Sequence, residues 1–199
     1  MTATTFDALG AGTDSDPHLL CTTAQLLDLM QRSAAWTRSF RLGMDLDLAG
    51  NGRPIGTLAM PFTGVFDGDG HVIRGFTYVD PTVEGVGLFA AVHGVRAEVR
   101  DLRVLDATAT GKRFVGALAG VLTGGAMISN CGSTGTVASA EGYVGGLVGL
   151  AGAEWVTASI GMAVISASWS SATVGQFMGD ASATSAVSPC ASTPMRRAR

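Results

Sequence analysis

The chain has 199 residues, 15% of them charged and 47% hydrophobic, with a formal net charge of −3. That composition fits one folded domain with or without a tail, and it excludes a disordered chain. The mild acidity excludes a general electrostatic attraction to nucleic acid. Glycine, at 28 residues, is about twice its usual share of roughly 7% and points to tight turns and a thin, regular core.

Met1 is followed by TATTFDALGAGTDSD, which has neither a basic leader nor an apolar run, so no export signal is read there. Residues 1–11 are expected to form a flexible N-terminus. Residues 21–35, CTTAQLLDLMQRSAA, form the one clear helix, spanning about 22–35. Thr22 is placed as N-cap and Gln25 as its capping-box partner, with Cys21 and Leu26 as the flanking apolar pair. Leu26, Leu27, Met30 and Ala34 share a face. FRLGMDLDLAG (40–50) then alternates as a strand and puts Asp45 and Asp47 on one side.

From residue 61 to 179 the chain repeats. VGLFAAV from Val86, VGALAGV from Val115, VGGLVGL from Val144 and VGQFMGD from Val174 align at intervals of 29, 29 and 30 residues. Between them lie IRGF from Ile73, VRDL from Val99, ISNC from Ile128 and VTAS from Val156. A third column holds Thr108, Val137 and Ile165. Such short, Val- and Thr-rich pieces broken by Gly read as strands. A unit of this size cannot bury its own apolar face, but stacked copies can. The expected architecture is all-β, a parallel β-helix with a short N-terminal capping helix closing the first coil. One predicted ladder joins Val86, Val115, Val144 and Val174. A second joins Phe89, Leu118, Leu147 and Phe177. Gly87, Gly116, Gly145 and Gly175 serve the bend between the two ladders.

Residues 114–140 and 155–179 carry no charge and are long enough to cross a bilayer. They are rich in Gly, Ser and Thr rather than in Leu, Ile and Phe, so no membrane span is expected.

Little in the sequence reads as chemistry. Asp67 and Asp69 in FDGDGH are weak metal candidates. Counted from Asp67, a calcium loop would have His71 at its fifth position and Tyr78 at its twelfth, so a turn explains them better. Asp45 and Asp47 could be an acid/base pair or a solvated face. His18, His71 and His93 lack metal spacing and read as surface or loop residues. Cys21, Cys131 and Cys190 read as idle thiols, and Trp36, Trp155 and Trp169 as packing or loop anchors before sugar platforms. There is no Walker loop or Gly-x-Ser-x-Gly elbow, and no cofactor is expected.

The segments GTDSDPHLLCTTAQLLDL (12–29), PFTGVFDGDGHVIRGFTY (61–78), VGALAG (115–120), ISNCGSTGTV (128–137) and VGGLVG (144–149) together resemble bacterial GLUG-motif proteins. The resemblance covers about residues 12–179 as one domain. It implies a right-handed β-helix in secreted or surface-displayed, adhesin-like proteins, with no catalytic residues in the repeats. The missing export signal, and an end (180–199) that leaves the repeat for a disordered or altered tail, point to a fragment or a product with altered ends. The expected function is a non-catalytic structural or adhesive module, with an extracellular polysaccharide or surface protein as partner. The alternative is a carbohydrate-active β-helix enzyme of lyase or hydrolase type, with its site near Asp45, Asp47, Asp67 or Arg74.

Overall fold

The computed structural model describes residues 5–152, 155–167, 174–175 and 178–181. The chain coils into a parallel β-solenoid. The first turn holds β1 (His18–Leu20), helix α1 (Thr23–Gln31), β2 (Phe40–Leu42) and β3 (Leu46–Asp47). The second holds β4 (Val65–Asp67), β5 (Val72–Arg74), β6 (Thr77–Val79), β7 (Glu84–Val86) and β8 (Phe89–His93). The third holds β9 (Glu98–Arg100), β10 (Arg103–Gly111), β11 (Arg113–Gly116) and β12 (Ala119–Thr123). The fourth holds β13 (Met127–Ser129), β14 (Gly132–Ser139), β15 (Val144–Gly145) and β16 (Val148–Ala151). The last holds β17 (Trp155–Thr157), β18 (Ile160–Ala167), β19 (Val174–Gly175) and β20 (Met178–Ala181). Equivalent strands stack into four parallel sheets. Sheet A runs β1-β2-β4-β9-β13-β17, and sheet B runs β3-β5-β10-β14-β18 with β6 beside β10. Sheet C runs β8-β12-β16-β20 and sheet D runs β7-β11-β15-β19.

Sheet D keeps Val86, Val115, Val144 and Val174 in register. Sheet C does not continue the second expected column. Phe89 stands opposite Ala119, and Ala119 opposite Val148. Leu118 and Leu147 occupy the bend before sheet C, both buried. The cause is a bend one residue shorter between Val86 and Phe89 than between Val115 and Ala119. Phe177 lies outside the described residues.

The bend itself is tight. A Cβ on Gly116 would stand 2.3 Å from the Ala119 carbonyl oxygen, and one on Gly149 would stand 2.5 Å from the Val115 nitrogen. Sheets C and D therefore meet at backbone contact, where only glycine fits.

The remaining repeat columns shift for local reasons. Ile73 pairs with Val104 in sheet B, whereas Val99, Ile128 and Val156 align in sheet A with Phe66. In sheet B, Val137 faces Ile165, but its other neighbour is Ala109 rather than Thr108. A bulge between Val104 and Ala107, with Asp106 in the left-handed region at φ 56°, inserts the extra residue.

The helix replaces three sides of the first turn. Thr22 caps it with the full capping box to Gln25, and Leu26, Leu29 and Met30 are buried in the common core. Thr23 Oγ1 donates to the carbonyl of Asp47 on the edge strand of sheet B at 2.9 Å. Trp36 packs beside it and donates its indole N–H to Leu29 O at 3.0 Å. A 3-10 turn, Phe6–Ala8, sends Phe6 into the same core against His18 and Phe40. A chain of rings (Phe6, Phe40, Phe62, Phe89, Phe66) fills the first turns. Each such ring contributes on the order of 2–3 kcal/mol by leaving water. Among the described residues no helix is long and apolar enough to cross a membrane.

Candidate functional site

Residues 40–50 do not form one strand. β2 belongs to sheet A and β3 to sheet B, and the chain turns between them at Gly43, where a Cβ would stand 2.9 Å from Cys21 Sγ. Both carboxylates lie beyond that turn, exposed on either side of the buried Leu46, and they engage different stretches of backbone. Asp45 accepts from the Val72 N–H at 3.0 Å and lies 3.1 Å from His71 Nδ1. Asp47 accepts from the Ala49 N–H at 2.7 Å. Each ties down its own stretch of backbone. The bond from Val72, then the one from His71, holds the Asp45 carboxyl below the usual range.

Asp67 and Asp69 also divide. Asp69 sits in a turn with Gly70, both in the left-handed region, and donates its N–H to Asp67 Oδ1 at 2.9 Å. Asp67 is buried and turns its other oxygen along sheet A. Alternation on this sheet points Phe40, Phe66, Val99 and Ile128 inward, leaving Arg41, Asp67 and Arg100 side by side on the outer face. Asp67 Oδ2 lies 3.0 Å from Arg100 and 3.6 Å from Arg41. Glu98 closes on Arg100 at 2.8 Å. Burial opposes the Arg100 charge, but the bond to Asp67 and the charges of Asp67 and Glu98 outweigh it and raise its pKa. At the rim Arg96 meets Asp14 at 2.9 Å, and Asp14 also bonds Ser39. Those two bonds, Ser39 first, lower the Asp14 pKa. The cluster lines a hollow of about 240 Å³.

A second charged row crosses sheet D. Arg113 grips Glu84 Oε1 through two nitrogens at 2.6 and 3.0 Å, and Lys112 lies 3.8 Å from Glu84 and 3.5 Å from Glu141. The Glu84 bonds raise the Arg113 pKa. Phe114 stacks on Tyr143 of the next coil at 5.4 Å.

His18 departs from the surface or loop expectation. It lies in β1, buried against Phe6 and Phe40. His93 is exposed in β8, 3.1 Å from Thr123 Oγ1. Cys131 is buried, which pushes its pKa up to about 12, and Cys21 is half-buried. Among the described residues no three His, Cys, Asp or Glu side chains gather as metal ligands would. Trp169 and Cys190 lie outside the described residues.

Sequence reasoning singled out Asp67 but missed Arg41, Glu98, Arg100 and Asp14. Arg41, Asp67 and Arg100 are 26 and 33 residues apart, off the 29-residue period, because the corners of the first coils differ in length. Only the alternation within each strand could have signalled them.

What the fold and this face define is a parallel β-solenoid whose outer charges are paired from coil to coil. Two known proteins share features with it. The chain is 30% identical over 166 residues to Halomucin of Haloquadratum walsbyi, a match that takes in 78% of this chain and about 2% of Halomucin's length. It shares its fold with a candidate immunoglobulin A1 protease from Bacteroides ovatus at 18% identity and a TM-score of 0.58, covering 89% of this chain and 75% of that one. No protein-family profile matches the chain.

Proposed function

We propose that this chain is a non-catalytic β-solenoid module of the GLUG type within a secreted or cell-surface bacterial protein. It presents rows of side chains on stacked coils to an extracellular polysaccharide or protein. The observation that carries this reading is the saturation of the sheet A face, where Asp67, Glu98 and Asp14 are each engaged by arginine. A general acid needs a carboxyl whose pKa is raised, whereas Asp14, Asp45 and Asp80 are all held low. The match to a small stretch of the far longer Halomucin supports the module reading, since a similar sequence lies within a very large chain.

The alternative, a carbohydrate-active enzyme, draws on the same cluster of opposite charges on neighbouring coils. Two experiments test the proposal. Antibody against the chain should label intact cells of the organism that makes it; labelling only after lysis overturns the surface assignment. Incubation with neutral and acidic polysaccharides should release no new reducing or unsaturated ends. Release that disappears in Asp67→Ala or Asp45→Ala establishes the enzyme instead.

A further inference from the structure

Sheet D begins two rungs later than sheet A, because α1 and then the segment after β3 take the place of its first two strands. The free edge of β7 therefore faces the end cap across a gap. That gap is an open cleft of about 440 Å³, within the roughly 300–1,000 Å³ typical of small-molecule sites. Trp36 is fixed at its cap end by the bond from its indole to Leu29. Tyr78, half-buried on β6, lines it as a second aromatic. On the outer side the chain leaves sheet C between Ile55 and Phe62, each bridged to β8. This throws out a loop whose Leu58 is 41% exposed and packs over Gly85.

Charge is the second observation. Glu84 lines the cleft but is consumed by Arg113 and Lys112. Arg53, exposed at the rim, has no carboxylate partner among the described residues. Of the two charged residues that line the cleft, Glu84 is thus paired from outside it and Arg53 is left open. An unpaired guanidinium at the rim suits an anion, and its planar fork suits a carboxylate. The half-buried Tyr78 beside that arginine suits a ring that is apolar on its face and hydroxylated at its edge.

We propose that this cleft binds a carboxylate-bearing saccharide unit of the uronic acid kind. Arg53 pairs with the carboxylate and Tyr78 contacts the ring, with the buried Trp36 closing the end of the cleft. The proposal names a ligand class and a place for the display module inferred above. It is measured on the purified chain, so it stands or falls apart from the cell-surface assignment.

Calorimetric titration of the purified chain with trigalacturonate, maltotriose and hexaglutamate tests it. Saturable binding is expected for trigalacturonate alone. Arg53→Gln should weaken it about tenfold, the loss expected of one charge-assisted pair, with an unchanged melting temperature. Tyr78→Leu should weaken it while keeping the apolar bulk. Arg103→Gln, which removes the same charge elsewhere on the surface, should leave it unchanged. The proposal is overturned if trigalacturonate does not bind or hexaglutamate binds as tightly. It is equally overturned if Arg53→Gln matches the unaltered chain or Arg103→Gln weakens binding as much.

Discussion

Replacing Gly116 with alanine adds one methyl group at the bend between β11 and β12. Its carbon would stand 2.3 Å from the Ala119 oxygen and 2.7 Å from both the Gly149 nitrogen and the Leu147 oxygen. Packed atoms settle at about 3.5–4.0 Å, so on the order of 1 Å of space is missing. All three obstructing atoms are backbone, and no rotamer change can move them aside. Relief requires β12 to part from the next coil, which sacrifices the bonds from Leu118 N and Ala119 N to Leu147 O at 3.0 and 3.1 Å. Overpacking costs about 1–3 kcal/mol and each lost bond about 1 kcal/mol, giving about 3–5 kcal/mol. For a chain of this size that lowers the melting temperature by roughly 6–20 °C. Gly132→Ala is the control, since its Cβ would meet nothing closer than 3.7 Å. Thermal unfolding followed by circular dichroism separates the two. Equal melting temperatures for both variants would refute backbone contact between sheets C and D.

Arg100→Leu leaves the buried Asp67 with Arg41, at the longer distance, as its one remaining cation among the described residues. A loss of about 2 kcal/mol is expected in urea unfolding, near the low end for a broken pair because Arg100 is partly solvated. Adding Asp67→Asn should recover part of it. Asp14, Asp45 and Asp80 all have lowered pKa values, so the folded state favours their ionised forms. Their stabilisation is complete above about pH 5 and is lost as the pH falls through and below the carboxylate range. The melting temperature should fall over that window, and by a smaller amount in Asp45→Asn. Cys131, with its pKa pushed up to about 12 by burial, should resist alkylation at about pH 8 until the chain unfolds, while Cys21 reacts in the native state; site-resolved mass spectrometry reads both. Thr22→Ala removes the capping box and should cost about 1 kcal/mol, again by urea unfolding.

The regular turns were legible because stacking imposes one period on residues that share a ladder. Val86, Val115 and Val144 keep that period, since sheets C and D touch and leave no room for insertion. The helix was legible from Thr22 and Gln25, whose capping pattern is local. The outer face was not. Arg41 and Asp67 lie in coils whose corners differ in length, so their neighbourhood depends on loops that carry no repeat. The turn inside residues 40–50 was hidden for a related reason. Alternating LDL reads as one strand, and the turn ahead of it is set by the approach of Gly43 to Cys21, a contact distant in sequence. Thr108 shows the smallest such effect, where one bulged residue moved the column to Ala109.

The 29-residue step from Val86 to Val115 also fixes how far the molecule reaches. Each added coil raises the solenoid by one strand spacing, about 4.8 Å. The same 29 residues in a single helix would extend about 43 Å. Growth by coils is therefore a poor way to span distance and an effective way to add area, because every turn brings a new row of outward side chains at a fixed height above the last. A binding partner would meet rows about 4.8 Å apart, and longer arrays would multiply contacts rather than separation.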